Sequence, residues 1–216
     1  MGDSIKDKYK VISIKPKLTY EWLLKKHYAH RIPSISYAFG LYDIDNILRG
    51  VCTFGLPASP ELCLTCGIEY KDKTLELNRL CVEQGDKNIT SFLVSKSLSL
   101  INKPCLIVSY ADTAQGHHGY IYQATNWIYT GLSKEQYDLK IKGSNKHSRH
   151  VYDNPNLETE RVKRSAKHRY FYFLGSKTQI KEMKSKFKYV VLPYPKGENK
   201  RYDASYQTTN QETLFV

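Results

Sequence analysis

Apolar and polar positions alternate over residues 8–14 (KYKVISI), and apolar positions recur at helical spacing over 18–29. Apolar residues then gather into short runs at 37–42, 48–54, 74–82 and 105–108. Alternation predicts a strand, the wider spacing a helix, and the continuous run CLIV at 105–108 a strand covered on both faces. In the helix, Leu18 with Trp22 and Leu24 with Tyr28 stand four residues apart, and Pro33 lies beyond its end. Asp43-Ile44-Asp45-Asn46 joins the 37–42 and 48–54 runs and suits an antiparallel hairpin. Residues 88–101 predict a helix with Val94, Leu98 and Ile101 on its buried stripe and Asn88 or Thr90 as N-cap. Strand, helix and strand in that order make a crossover unit, so the 74–82 and 105–108 strands are expected to be parallel neighbours. Near the C-terminus, 170–174 and 187–193 read as strands around a helix at 178–186.

After the 105–108 run the polarity changes abruptly. Ser109, Tyr110, Asp112, Thr113, Gln115, His117 and His118 crowd what reads as one loop, and Gly116 and Gly119 let its backbone turn and approach a ligand. A short helix over 120–127 follows, with its first N–H groups facing that loop. Two further features point to the same region. His27 and His30 stand at the predicted end of the 18–29 helix, where the dipole favours protonated imidazole; capping and function are both open there. Arg79 falls inside the 74–82 strand, and a charge in a central strand must be paired or must bind something, because burying it alone costs several kcal/mol. Ser91 lies in the first turn of the 88–101 helix, where backbone N–H groups can hold a phosphate.

Charge is unevenly spread. Residues 1–139 carry 16 Lys and Arg against 14 Asp and Glu, residues 140–201 carry 17 against 5, and 202–216 carry 0 against 2. The net charge of +12 therefore resides in one stretch, and a polyanion is its natural partner. Lys163, Arg164, Lys167, Arg169 and Tyr170 combine phosphate-binding forks with stacking surfaces, which fits nucleic acid. Residues 140–169 read as a basic inserted loop and 203–216 as a flexible tail on one 216-residue domain. No apolar run reaches membrane-spanning length and no N-terminal signal is evident, so a cytoplasmic protein is expected. Five cysteines, most in strand-like contexts, suggest reduced packing thiols; Cys63 and Cys66 have zinc spacing but no second pair follows.

The order of elements resembles the GNAT acetyltransferase-like fold: a mixed, mainly antiparallel α/β sheet with a central parallel pair, flanked by helices. Tyr110-Ala111-Asp112, Gly116, the run GYIYQATNW from Gly119 to Trp127, His27-Tyr28 and Leu77-Asn78-Arg79-Leu80-Cys81 together resemble the phage Mom-type DNA adenine-modification proteins. That resemblance implies an enzyme placing a methylcarbamoyl (acetamido-type) group on adenine N6 of double-stranded DNA, protecting it from restriction, with iron as a possible cofactor. It implies catalytic roles for His27, Asp112 and Tyr122 and donor-binding roles for Arg79, Ser91 and Gly119; for iron, which needs converging imidazole and carboxylate ligands, His27 with Asp112 is the candidate pair and a third ligand is open. Lys163, Arg164, Lys167 and Arg169 would grip DNA, while Tyr28 and Tyr120 would stack on a flipped adenine. Acetyl-CoA is a candidate donor, although VEQGDKNITS after the 74–82 strand has one glycine where acetyl-CoA-binding GNAT loops have more. Two other functions compete: a GNAT N-acetyltransferase acting on a small amine or protein, and a non-catalytic DNA-binding protein.

Overall fold

The computed structural model describes residues 4–134, 136–143 and 156–197. Strands β1 (Tyr9–Ser13), β2 (Tyr37–Asp43), β3 (Leu48–Gly55), β4 (Thr74–Val82), β5 (Cys105–Asp112), β6 (Ile128–Leu132) and β9 (Lys167–Leu174) form one sheet in the order β1-β2-β3-β4-β5-β9-β6. Strands β4 and β5 are parallel, and every other neighbouring pair is antiparallel, which is the GNAT-like arrangement expected. After the short helices α1 (Ile5–Lys8) and α2 (Pro60–Cys63), helix α3 (Ile89–Ser99) joins the two parallel strands, as the crossover rule requires.

Strand β5 shows why its apolar run is continuous. Cys105, Ile107 and Ala111 face a core made with α3 residues Leu93, Val94 and Leu98, together with Phe39, Phe54 and Trp127. Leu106 and Val108 face the opposite core of Leu62, Tyr70, Phe171, Phe173 and Met183. Met183 comes from α5 (Lys177–Ser185), so both faces of the central strand are covered.

The site is made by where β4 and β5 stop pairing. They are in register only at Thr74–Leu106, Leu75–Ile107 and Glu76–Val108. Beyond that point β5 stays paired with β9 through Asp112 while β4 follows β3, so the sheet splays open. A bulge sits at the fork: Thr53 pairs with Arg79 and Phe54 with Leu77, which leaves Asn78 as the extra residue on β4. A bulge bends its strand and re-aims side chains. Asn78 is held by Thr53 Oγ1, which donates to its Oδ1 (2.7 Å), and by its own Nδ2, which donates to the Ser34 carbonyl (2.8 Å).

Four expectations change. The 18–29 helix is a 3₁₀ turn at Pro16–Thr19 followed by a π-helical turn at Trp22–Lys26, because Pro16 starts the coil early and His27 N–H reaches back five residues to Trp22. Residues 187–193 are not a strand: Leu192 makes one bridge to Tyr129, while Val190 and Val191 are exposed. Ser109, Tyr110 and Asp112 belong to β5, and the polar loop begins after them. Much of the basic loop at 140–169 is strand: β7 (Gln136–Ile141) and β8 (Thr159–Arg164) form a separate two-stranded ribbon, and β9 begins at Lys167. Residues 144–155 of that loop and the 203–216 tail lie outside the described residues. No described helix is long and apolar enough to cross a membrane.

Candidate active site

The splay opens into a cavity of about 650 Å³. Asn78, Arg79 and Leu80 of β4 form one wall and Tyr110 and Ala111 of β5 the other. Lys87, Asn88, Thr90 and Ser91 close one side with the start of α3, where first-turn N–H groups have no intrahelical acceptor. Asn88 holds the N-cap position in a left-handed conformation (φ 71°), without a side-chain cap. The opposite side comes from His117, Gly119 and helix α4 (Tyr120–Ala124), and His27 and Tyr28 complete the lining.

Gly119 is required on two counts. Its φ is +79°, and a Cβ there would stand 2.4 Å from Tyr170 Cε2. Glycine therefore lets the chain pass the Tyr170 ring and start α4 at the cavity wall. Tyr120, 65% exposed, stands at the cavity rim, while Tyr122 is buried in its wall.

Tyr122 ends a short proton-ordered chain. Ser109 Oγ lies 2.8 Å from the Leu77 carbonyl and 2.7 Å from the Tyr122 hydroxyl. A carbonyl only accepts, so Ser109 donates to Leu77 and Tyr122 donates to Ser109. The phenol proton is thus engaged across the fork of the sheet, and the remaining lone pair of its oxygen is available to a ligand. Burial raises the Tyr122 pKa, so the phenol stays neutral.

Arg79 is 9% exposed. Its Nη1 donates to the Asn78 carbonyl (2.6 Å) and its Nε to the Arg31 carbonyl (3.4 Å). Its Nη2 is buried with no hydrogen-bond partner among the described residues. Burial and the neighbouring Arg31 lower its pKa, although guanidinium remains charged at neutral pH. An incompletely satisfied buried guanidinium beside the N-terminus of α3 suits an anionic ligand.

His27 closes the π-helical turn with extended backbone (φ −85°, ψ 132°). Its Nδ1 accepts from the Ala29 N–H (3.0 Å), which puts the proton of the neutral ring on Nε2. Burial, then the charge of Arg79, hold its pKa well below the ordinary value, the reverse of what the helix-dipole expectation implied. Tyr28 stacks on it with ring centroids 4.4 Å apart, and His117 meets Tyr28 edge-on at 6.0 Å. Burial also lowers the His117 pKa, against the opposing pull of Asp112. His117 was one of several polar residues in a crowded stretch of sequence, and only the fold sets it against Tyr28.

Asp112 has a different place from the one expected. It lies at the end of β5, 9% exposed, and it is not part of the cavity lining. Oδ1 accepts from Ser165 Oγ (2.6 Å) and Ala114 N–H (3.0 Å), and Oδ2 from Lys167 Nζ (3.0 Å). Burial acts to raise its pKa, but the Ser165 and Lys167 contacts outweigh it and hold the carboxyl below its usual value. A carboxylate so fully engaged is a poor proton acceptor.

The expected DNA-binding residues divide in the same way. Lys167 is tied to Asp112. Arg169 donates from Nε and Nη2 to Thr130 Oγ1 and carbonyl, and its guanidinium stacks 3.8 Å above the Tyr189 ring. Lys163 and Arg164 are exposed on the ribbon, where Arg164 approaches Asp138 at 3.7 Å. For iron, the described residues contain no group of three His, Cys, Asp or Glu side chains placed to hold a metal, so His27 and Asp112 have no third described ligand. The five cysteines are free thiols, among them Cys63 and Cys66.

The splayed α/β sheet thus holds a buried guanidinium, two imidazoles and several phenols in one cleft. This chain belongs to the Mom protein family, whose model matches residues 8–196. It is 28% identical over 189 residues to the methylcarbamoylase Mom of Escherichia phage Mu, covering 79% of this chain and 77% of the relative. Among solved structures it is similar to spermidine/spermine N-acetyltransferase SpeG from Vibrio cholerae, with a TM-score of 0.45, 8% identity and coverage of 79% of this chain and 95% of the other. It is also similar to a GNAT-family acetyltransferase from Bacillus cereus, with a TM-score of 0.36, 12% identity and coverage of 63% and 69%.

Proposed function

We propose that this chain is a phage-type DNA-modifying transferase that places a methylcarbamoyl group on N6 of adenine; its phage Mu relative is named a methylcarbamoylase. The observation that carries the reading is Arg79, a buried guanidinium with an unpartnered Nη2 in the wall of a cavity that also holds two histidines of depressed pKa. Those are the groups needed to hold an anionic acyl-type donor and to accept a proton from an amine.

Adenine N6 is a weak nucleophile because its lone pair is delocalised into the ring, and in duplex DNA it is also paired and stacked. The target base is therefore flipped into the cavity, where Tyr28 and Tyr120 offer stacking surfaces for the few kcal/mol that unstacking costs. As N6 attacks the donor carbon, the new N–C bond forms and the bond to the leaving group breaks. Neutral His117 takes the proton lost from N6 and returns it to the leaving group or to water. Tyr122 oxygen accepts a hydrogen bond from the remaining N6–H, and His27 Nε2–H donates to the acyl oxygen. Arg79, with the first-turn N–H groups at Thr90 and Ser91, holds the donor's anionic part. Asp112 acts as a positioning residue through Ser165 and Lys167.

Mass analysis of nucleosides from DNA of cells expressing the chain tests this reading. Added mass on deoxyadenosine supports it; acetylated free amines with unmodified DNA would favour an ordinary N-acetyltransferase, and unmodified DNA bound by the protein would favour a binding protein.

A further inference from the structure

His117 and His118 lie between two glycines in the left-handed region, Gly116 (φ 65°) and Gly119 (φ 79°). Glycine takes either sign of φ with little preference, so these residues alone do not fix the direction in which the chain leaves the end of β5. On the N-terminal side the segment is held by backbone: His117 N–H donates to the Asp112 carbonyl (3.1 Å) and Gly116 N–H to the Thr113 carbonyl (3.0 Å). On the other side the hold comes from side chains. Tyr170 Oη donates to the His118 carbonyl, and Gln123 Nε2 donates to the same carbonyl (3.2 Å) and to Tyr170 Oη (3.2 Å). A third contact of Nε2, to the Pro195 carbonyl, is the longest at 3.5 Å.

These three groups close a triangle with one order of protons. A carbonyl only accepts, so the phenol donates to His118 and offers its oxygen to Gln123, whose two amide protons serve both acceptors. Burial pushes the Tyr170 phenol up to about 12, so it keeps that proton at neutral pH. Tyr170 is also a fixed anchor. It is fully buried in β9, paired with Ser109 of β5 and Tyr129 of β6, and its ring lies against Tyr122 and Tyr129 with centroids 5.2 and 5.1 Å apart. Gln123 belongs to α4, whose Tyr122 and Ala124 line the cavity. Sheet and helix thus both grip the carbonyl one residue beyond His117, which lines the cavity edge-on to Tyr28.

We infer that Tyr170 and Gln123 are positioning residues, which clamp the His118 carbonyl and thereby hold His117 against Tyr28 where the amine proton leaves. Neither lines the cavity, so each acts through His117. The inference rests on the transferase reading above, in which His117 takes the proton lost from N6. Displacing a reacting group by about 1 Å costs on the order of a hundred-fold in rate, which gives a hydrogen bond outside the cavity its leverage.

Three full-length variants test it. Tyr170→Phe keeps the ring against Gly119 and removes the hydroxyl, and Gln123→Met keeps the reach of the side chain and removes the amide. Tyr172→Phe, the control, removes a hydroxyl from the same strand on a ring that packs 5.5 Å from Trp127. For each, three quantities are read: modified deoxyadenosine formed per unit time in cells at matched levels of folded protein, affinity for a fluorescent duplex by anisotropy, and the ring-current displacement of the His117 C–H signals by Tyr28, calibrated in Tyr28→Leu. Tyr170→Phe and Gln123→Met should each lower the modification rate on the order of ten-fold, with duplex affinity unchanged and the His117 signals moved toward those of Tyr28→Leu. Tyr172→Phe should match wild type in all three. A wild-type rate or unmoved His117 signals in Tyr170→Phe overturns the inference, and Gln123→Met decides in its place where Tyr170→Phe does not fold. So does a fall in duplex affinity equal to the fall in rate, the mark of a general loss of the site. Unmodified DNA from wild type defeats the transferase reading instead, and the His117 signals then decide the clamp alone: moved in the two variants they uphold it, unmoved they overturn it.

Discussion

Lys167 Nζ stands 3.0 Å from Asp112 Oδ2, joining the first residue of β9 to the last residue of β5. With Ser165 on the other carboxylate oxygen, this contact fixes the base of the basic ribbon beside the mouth of the cleft. Asp112 is therefore a strut between the end of β5 and the base of the ribbon.

Asp112→Asn keeps an acceptor for Ser165 and Ala114 but loses the ion pair. It should cost about 1–3 kcal/mol, measured by urea unfolding. A folded-state pKa below the unfolded one means that this stability is full above the unfolded value, near 4, and is lost as pH falls through the folded one. The wild-type midpoint should thus approach that of Asp112→Asn as pH is lowered from 5 to about 2, by this linkage.

Arg79 makes the opposite prediction. Burial of a guanidinium with an unpartnered nitrogen costs stability, so Arg79→Met should leave the melting temperature unchanged or raise it. The same variant should lose DNA modification by about two orders of magnitude, the scale of removing one preorganised charge-stabilising donor. Parallel thermal melts and nucleoside quantification distinguish a ligand-holding arginine from a structural one.

His27 and His117 both titrate below the ordinary histidine value. The unfolded chain therefore binds more protons than the folded one in this range, so stability is full above about pH 6.5 and falls as pH drops below it. Activity should follow the same direction, flat around neutral pH and declining as pH falls through the lowered His117 value, below the ordinary histidine one. Single-turnover rates across pH should show this limb, and His117→Gln should remove it together with most of the rate.

At Gly119, alanine would meet Tyr170 at 2.4 Å in a left-handed backbone conformation. Gly119→Ala should destabilise the fold by about 1–3 kcal/mol, read from its unfolding midpoint.

Where burial alone dictated the pattern, the elements were legible in the sequence: β4 runs over the predicted residues, α3 lies inside the predicted helix, and β5 with its two covered faces follows from CLIV. Exposure misled the reading at 187–193, where Phe187 and Tyr189 pack on Phe171 while Val190 and Val191 face outward, an alternation produced without strand pairing. Charged residues hid the ribbon, because TERVKR pairs with QYDLKI through backbone bonds that impose little apolar signal. The cavity residues Arg79, Tyr122 and Gly119 were visible as chemistry in unusual places. His117 was not, because its significance depends on Tyr28, which arrives from a distant turn. Asp112 stands out in the sequence as a carboxylate, but its partners Ser165, Ala114 and Lys167 come into view only in the fold.

On the proposed function, DNA made in the presence of this chain carries modified adenine. Nucleosides from DNA of cells expressing wild type, Arg79→Met and His117→Gln, separated and weighed by mass spectrometry, test it most directly. Wild type should yield deoxyadenosine heavier by one methylcarbamoyl group, and both variants, folded by thermal melt, should yield little or none. Unmodified deoxyadenosine from well-expressed, folded wild type, or full modification by Arg79→Met, would contradict the account.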